Sequence, residues 1–219
     1  GDSNNKLKEK AAQLLSQEAK ILSQIDHPRI AKVFDHFVEN DRDYLLIEHL
    51  EGRDLRRLIK EYGQQSEEMV LDFAIQIAEI IRYLHNLNPP IIHKDITPSN
   101  LILESDNMIS LIDFGAANQF LGTATGTIIG KQSYIPPEQL RGKANLKSDI
   151  YSFGCTLHFL ATAEDPTPIS SSDPNSILKK KLNPRLNNLI IKCTQIEPDD
   201  RPDSIQKVLD RLGDLKGKR

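Results

Sequence analysis

The stretch from Ile91 to Asp113 constrains this chain most. After Asn100 come two short apolar runs, Leu101-Ile102-Leu103 and Met108-Ile109-Ser110-Leu111-Ile112, separated by Glu104-Ser105-Asp106-Asn107. Apolar runs of this length around turn-forming residues read as a β-hairpin. A hairpin folds its two ends together, so Asn100 and Asp113 are expected side by side. An amide and a carboxylate placed that way are hard oxygen ligands suited to Mg²⁺. Asp95, on the loop before the hairpin, is then available to a substrate hydroxyl.

At 219 residues the chain accommodates one large domain or two small lobes around a real core. A formal charge of −3 leaves no basic footprint, so nucleic acid is not an expected partner. No apolar run reaches membrane-spanning length and no signal peptide is visible. Cys155 and Cys193 lie in apolar helical patterns. They read as buried thiols, not a disulfide, which suits a reducing, cytoplasmic setting.

From Lys6 to about Ile25 the pattern is helical, with Leu14, Leu15, Ile21, Leu22 and Ile25 on one stripe. Glu18 falls within that stripe. It either reaches solvent from the helix edge or pairs with a lysine on a neighbouring strand, because an unpaired buried charge is costly. After His27-Pro28, two strands are expected over Ile30–Val38 and Tyr44–Glu48. Glu51-Gly52 reads as a turn, Asp54-Leu55 as the start of a short helix, and Ser66 with Glu67 and Glu68 as the start of a long one. Residues 116–135 lack periodicity and form a loop. Pro136-Pro137-Glu138 opens a short helix. Residues 148–162 are apolar nearly all round, the mark of a buried helix. Asp149 near its start reads on its own as a cap or first-turn acid. Residues 163–175 read as a loop. Two further helices follow, one marked by Leu186, Leu189, Ile190 and Cys193. The other is marked by Ile205, Val208, Leu209 and Leu212, with Pro202, Asp199 and Asp200 at its start. The expected class is α+β, a small sheet-containing part beside a helical part.

These elements, taken in order, resemble the eukaryotic-type protein kinases, in particular the bacterial serine/threonine branch. The motifs are His93-Lys94-Asp95…Asn100, Asp113-Phe114-Gly115 and Pro136-Pro137-Glu138. The resemblance runs from about residue 7 to 212. It implies a two-lobe fold, with a partial N-lobe over residues 1–50 and a helical C-lobe over 51–219. It also implies ATP and Mg²⁺ (or Mn²⁺) as cofactors and a protein substrate. Asp95 matches the base that accepts the hydroxyl proton, and Asn100 and Asp113 match the metal ligands. Glu18 matches the helix glutamate that faces the phosphates' lysine. Ile47 matches the gatekeeper, and Glu48-His49-Leu50 the hinge that holds adenine. Asp54 matches the ribose acid, and Ile102 the floor under the base. Leu22, Val33, His93 and Phe114 match a stacked spine anchored by Asp149. Glu138 and Arg201 match a buried ion pair. Core packing alone explains the residue types at Ile47, Ile102, Leu22 and Val33 equally well.

The chain also departs from that pattern. No glycine-rich loop and no third-strand lysine stand before the first helix. Thr97 occupies the place where serine/threonine kinases carry lysine, and Lys131 occupies the place of the threonine that faces it. This apparent exchange suggests that Lys131 supplies the positive charge at the γ-phosphate. A solvent-facing lysine is the plain alternative. Lys94 replaces arginine, which loses a bidentate fork for phosphate. Thr123, Thr125 and Thr127 are candidate autophosphorylation sites. The stretch 163–182 is short. The expected function is protein serine/threonine kinase. The alternatives are a non-catalytic kinase-like module and a small-molecule kinase of the aminoglycoside or choline type.

Overall fold

The computed structural model describes residues 25–40, 42–112 and 132–217, apart from the side chains at 42 and 43. The expected first helix with Glu18 and Leu22 lies outside these residues. So do Asp113-Phe114-Gly115, Thr123, Thr125, Thr127 and Lys131.

Strands β1 (Val33–Glu39) and β2 (Arg42–Ile47) form a two-stranded antiparallel sheet in which Val33 pairs with Ile47 and Phe37 with Tyr44. The expected strand from Ile30 starts later because Ile30 and its neighbours pair elsewhere. Ala31 N–H donates to the Leu111 carbonyl at 2.9 Å, and Leu111 N–H to that of Arg29 at 2.9 Å. This connection is held to the helical part by Tyr83, whose hydroxyl donates to the Asp26 carbonyl at 3.1 Å.

The second sheet has the order β3-β4-β5, with β3 Gly52–Asp54, β4 Leu101–Glu104 and β5 Ile109–Leu111. The β4–β5 hairpin forms as its turn residues require, Asn107 taking the left-handed φ of 62°. Strand β3 corrects the reading of Glu51-Gly52 as a plain turn. A Cβ at Gly52 would lie 2.4 Å from the Leu103 carbonyl oxygen and 2.6 Å from Ile102 Cγ2. Only glycine lets this segment lie against β4.

Helix α1 (Leu55–Tyr62) is capped by Asp54, and α2 (Glu67–His85) by Ser66, whose hydroxyl accepts from Met69 N–H. One face of α2, including Val70, Phe73, Ala74, Ile77, Ile81 and Leu84, is buried. The Pro-Pro-Glu stretch opens α3 (Pro137–Leu140). Helix α4 (Leu146–Thr162) runs through the core and is buried on every side from Ser148 onward. It comes close to the segment carrying Cys193 at Gly154, where a Cβ would meet that of Cys193 at 2.7 Å. Helices α5 (Pro174–Ile177), α6 (Pro184–Cys193) and α7 (Ile205–Lys216) complete the described fold. Helix α5 begins inside the span read as loop. Helix α7 is capped by Ser204, whose hydroxyl accepts from Lys207 N–H, and not by Asp199, Asp200 or Pro202. The two aspartates belong to a separate 3-10 turn, Pro198–Asp200. Cys155 and Cys193 are free and buried, and burial pushes the Cys193 thiol up to about 12.

Candidate active site

Side chains of α3 and α4 supply partners to the backbone of the loop before β4. Asp149, fully buried on α4, accepts His93 N–H at 2.9 Å on one carboxylate oxygen and Lys94 N–H at 2.8 Å on the other. His85, the last residue of α2, places its Nε2 2.9 Å from the same carboxylate. Gln139 Nε2 donates to the Lys94 carbonyl at 2.8 Å, and Thr156 Oγ1 to that of Ile96 at 3.0 Å. Asp95 N–H donates to His93 Nδ1 at 3.2 Å. Lys94 takes a left-handed φ of 67°, a conformation that costs a non-glycine residue energy and persists only where its surroundings impose it. Asp149 is therefore more than a first-turn acid: α4 holds the loop in a strained shape through it.

That shape brings Asp95 and Asn100 together. Asn100 Nδ2 donates to the Asp95 carbonyl at 2.9 Å and to Asp95 Oδ2 at 2.9 Å. Both partners are acceptors, so the amide orientation follows from them, and the amide oxygen is left to serve as a ligand. Asp95 is 7% exposed and Asn100 5%. Ile112 N–H donates to the Asn100 carbonyl at 2.9 Å, so the chain leaves β5 beside Asn100 immediately before Asp113. An amide oxygen with a carboxylate one residue beyond this bond is a donor set that fits a hard divalent cation. Among the described residues there is no cluster of three or more His, Cys, Asp or Glu side chains that could hold a metal. Mg²⁺ needs no such cage where phosphates complete its shell.

The residues expected on the nucleotide side lie in two groups. Ile47 ends β2 opposite Val33 and packs on the core. Glu48 N–H donates to the Lys32 carbonyl at 2.8 Å, and its carboxylate accepts Lys32 N–H at 3.1 Å. Leu50, partly buried, follows in the connection between β2 and β3. Asp54 and Ile102 are register partners across β3 and β4. The Asp54 carboxylate caps α1 by accepting Arg57 N–H at 2.9 Å and pairs with Arg57 Nε at 3.2 Å. Capping alone accounts for this residue locally. Val33 and His93, the described members of the expected spine, are both buried. Thr97 is 2% exposed, and its hydroxyl has no hydrogen-bond partner among the described residues.

The expected ion pair is present. Arg201 Nη1 reaches Glu138 Oε1 at 2.7 Å, and Nη2 reaches Oε2 at 3.0 Å. Three backbone carbonyls, of Gln195, Lys147 and Ile196, take the remaining donors of Arg201, which stacks over Tyr151. Burial raises the Glu138 pKa, but the bonds from Arg201 and Ser148 outweigh it and hold the carboxyl below its usual range.

A family model described as the protein kinase domain matches residues 2–212. The chain belongs to the protein kinase family. It is 31% identical over 216 residues to a probable serine/threonine-protein kinase of Clostridium acetobutylicum, covering 91% of this chain and 33% of that protein. It is 30% identical over 219 residues to serine/threonine-protein kinase B of Synechocystis, covering 92% and 38%. For probable serine/threonine-protein kinase nek2 of Dictyostelium discoideum the identity is 32%, with 90% and 51% covered. The kinase chain thus spans between a third and a half of these relatives. Its fold matches the crystal structure of Rad53 1-466 in complex with AMP-PNP with a TM-score of 0.72 at 23% identity, covering 90% of this chain and 54% of that one. The α+β, two-part architecture with a mainly helical C-terminal part agrees with that family.

Some features of this kinase domain were not legible in the sequence. His85 meets Asp149 across 64 positions, and Arg56 meets Asp165 across 109. No local pattern marks either pair. Among the described residues no helix is long and apolar enough to cross a membrane.

Proposed function

We propose that this domain transfers the γ-phosphoryl group of ATP to serine or threonine hydroxyls of proteins. The observation that carries this reading is Asn100, whose side-chain amide donates to the Asp95 carboxylate while its backbone carbonyl accepts the Ile112 N–H. One residue thereby aligns a base and begins a cation site.

In the proposed reaction Asp95 accepts the proton of the substrate hydroxyl as its oxygen bonds to the γ-phosphorus. The bond from that phosphorus to the β–γ bridging oxygen breaks, and ADP leaves. Mg²⁺, when bound, neutralises the developing phosphate charge; Asn100 and Asp113 are the residues proposed to hold it. The Glu48 carbonyl and Leu50 N–H are proposed to hold the adenine edge, with Ile47 behind it, Ile102 beneath it and Asp54 at the ribose. Glu18 is proposed to orient a phosphate-binding lysine. Lys131 is proposed to supply the positive charge that Thr97 does not, a reading supported by the buried Thr97 hydroxyl, which has no hydrogen-bond partner among the described residues. The division into lobes at about residue 50, autophosphorylation at Thr123, Thr125 or Thr127, and a cytoplasmic setting belong to the same proposal.

The test is thermal denaturation with ATP, with and without Mg²⁺, on wild type and Asp113→Ala, together with phosphate transfer to a generic protein substrate. A Mg²⁺-dependent rise in Tm that Asp113→Ala abolishes, with transfer that Asp95→Asn abolishes, supports the proposal. A Mg²⁺-dependent rise without any transfer would favour a non-catalytic nucleotide-binding module instead.

A further inference from the structure

Arg56, on α1, is the centre of a side-chain cluster outside the groups discussed so far. Its Nε donates to Ser99 Oγ at 3.1 Å. Nη1 donates to Asp165 Oδ2 at 3.1 Å and Nη2 to Asp165 Oδ1 at 2.8 Å, a two-point pairing. Nη2 also donates to the Tyr134 hydroxyl at 3.2 Å, and that hydroxyl donates to Asp165 Oδ1 at 2.7 Å. The guanidinium carbon lies 4.9 Å from the centroid of the Phe159 ring, and Lys60 approaches the same ring at 5.6 Å.

Four segments meet there. Ser99 lies in the 3-10 turn Pro98–Asn100, directly before the amide that aligns Asp95. Tyr134 ends the 3-10 turn Gln132–Tyr134, where the chain emerges from the segment after Asp113-Phe114-Gly115. Its carbonyl accepts from Ser152 Oγ on α4 at 2.7 Å. Asp165 stands on the loop after α4. Burial alone would raise the Asp165 pKa, but the bonds from Arg56 and Tyr134 hold it low, so the pair is ionised at neutral pH.

A guanidinium–carboxylate pair with side chains 25% and 32% exposed is a modest source of stability. Its value is in geometry. The planar fork engages Ser99, Asp165 and Tyr134 at once, which an ammonium cannot do.

We infer that Arg56 is a positioning residue that ties Ser99, and through the adjoining Asn100 the Asp95 carboxylate, to Tyr134, so that the loop 93–100 is held in register with the turn Gln132–Tyr134. Arg56 touches no reacting atom. The inference rests on the proposed role of Asp95 as the base.

The experiment compares Arg56→Ala, Arg56→Lys and Ser99→Ala in the full-length protein by amide hydrogen exchange and by steady-state kinetics. Arg56→Ala is expected to speed exchange in residues 93–100 and 132–135 while α2 and α7 stay protected. It should also lower kcat about tenfold with KM for ATP within about twofold, as expected for lost alignment. Ser99→Ala should reproduce the faster exchange at 93–100 and the lower kcat but leave 132–135 protected. Arg56→Lys should recover stability without recovering kcat; it serves in place of Arg56→Ala if that variant fails to fold. Unchanged exchange at 93–100 in both arginine variants overturns the inference, as does a raised KM for ATP with kcat intact. If wild type transfers no phosphate, the proposed function fails, and the exchange data still decide whether the clamp exists.

Discussion

Asp149 and Lys94 are joined by a 2.8 Å hydrogen bond from the lysine's backbone N–H, and at that bond Lys94 holds a φ of 67°. A carboxylate suits this place because it only accepts. His93 N–H, Lys94 N–H and His85 Nε2 all converge on it. Asp149→Asn would turn an NH₂ toward at least one donor. The expected loss is about 1–3 kcal/mol of unfolding free energy in urea, the cost of a buried unsatisfied group. Phosphate transfer should fall more steeply than the remaining folded fraction.

Asn100 is predicted to separate two roles. Asn100→Asp keeps an oxygen ligand but removes the N–H donor to Asp95 Oδ2. Two carboxylates side by side raise the pKa of one of them. The Mg²⁺-dependent thermal shift with ATP should therefore survive, while the acid limb of the kcat–pH profile moves to higher pH. Asn100→Ala should lose both, with kcat down on the order of 10²-fold or more.

Glu138→Ala is expected to cost about 3–5 kcal/mol, because it leaves the Arg201 charge buried without its carboxylate. Chemical denaturation measures this directly. The Glu138 pKa is depressed in the folded protein, so the stabilisation is present above its ordinary value of 4.5 and is lost as pH falls through the folded pKa.

His158, buried on α4, has its pKa pushed down to about 4 by burial, against opposing pulls from Asp165 and Asp173. Between pH 6.5 and 4 the unfolded chain binds a proton there and the folded chain does not. Stability should therefore fall as pH drops through this window, by up to ~1.4 kcal/mol per pH unit from this group. His158→Gln should flatten the dependence of Tm on pH there. An unchanged slope would remove His158 as its source.

Gly52→Ala places a methyl group 2.4 Å from the Leu103 carbonyl oxygen. The clash is with backbone, so β3 must shift on β4 and carry Asp54 away from Ile102. A loss of about 1–3 kcal/mol is expected for such overpacking. Weaker ATP binding should accompany it in calorimetry, because both residues are proposed to line the nucleotide site.

Much of the site was readable because the signals are local. The β4–β5 hairpin follows from two apolar runs and a turn, and from the hairpin alone Asn100 was expected beside the residue that follows Ile112. Helix starts at Asp54 and Ser66 follow from side chains that cap the nearest free N–H groups. The motifs around Asp95 and Pro137-Glu138 carried the family, and with it the Glu138–Arg201 pair. Asp149 was visible as an acid in an apolar helix, although pattern alone assigned it to a cap.

Tertiary structure decided the rest, because the partners lie far apart along the chain. Gly52 looks like a turn until β4 approaches within a distance that no Cβ tolerates. Ile30 looks like strand β1 until Leu111 takes its neighbours' hydrogen bonds. Arg56 looks like a surface helix arginine until Ser99, Tyr134 and Asp165 converge on its fork. Composition and periodicity set which face of each element is buried. Which polar groups meet at the edges of those faces depends on how α1, α4 and the loop 93–100 pack, and that packing has no local signature.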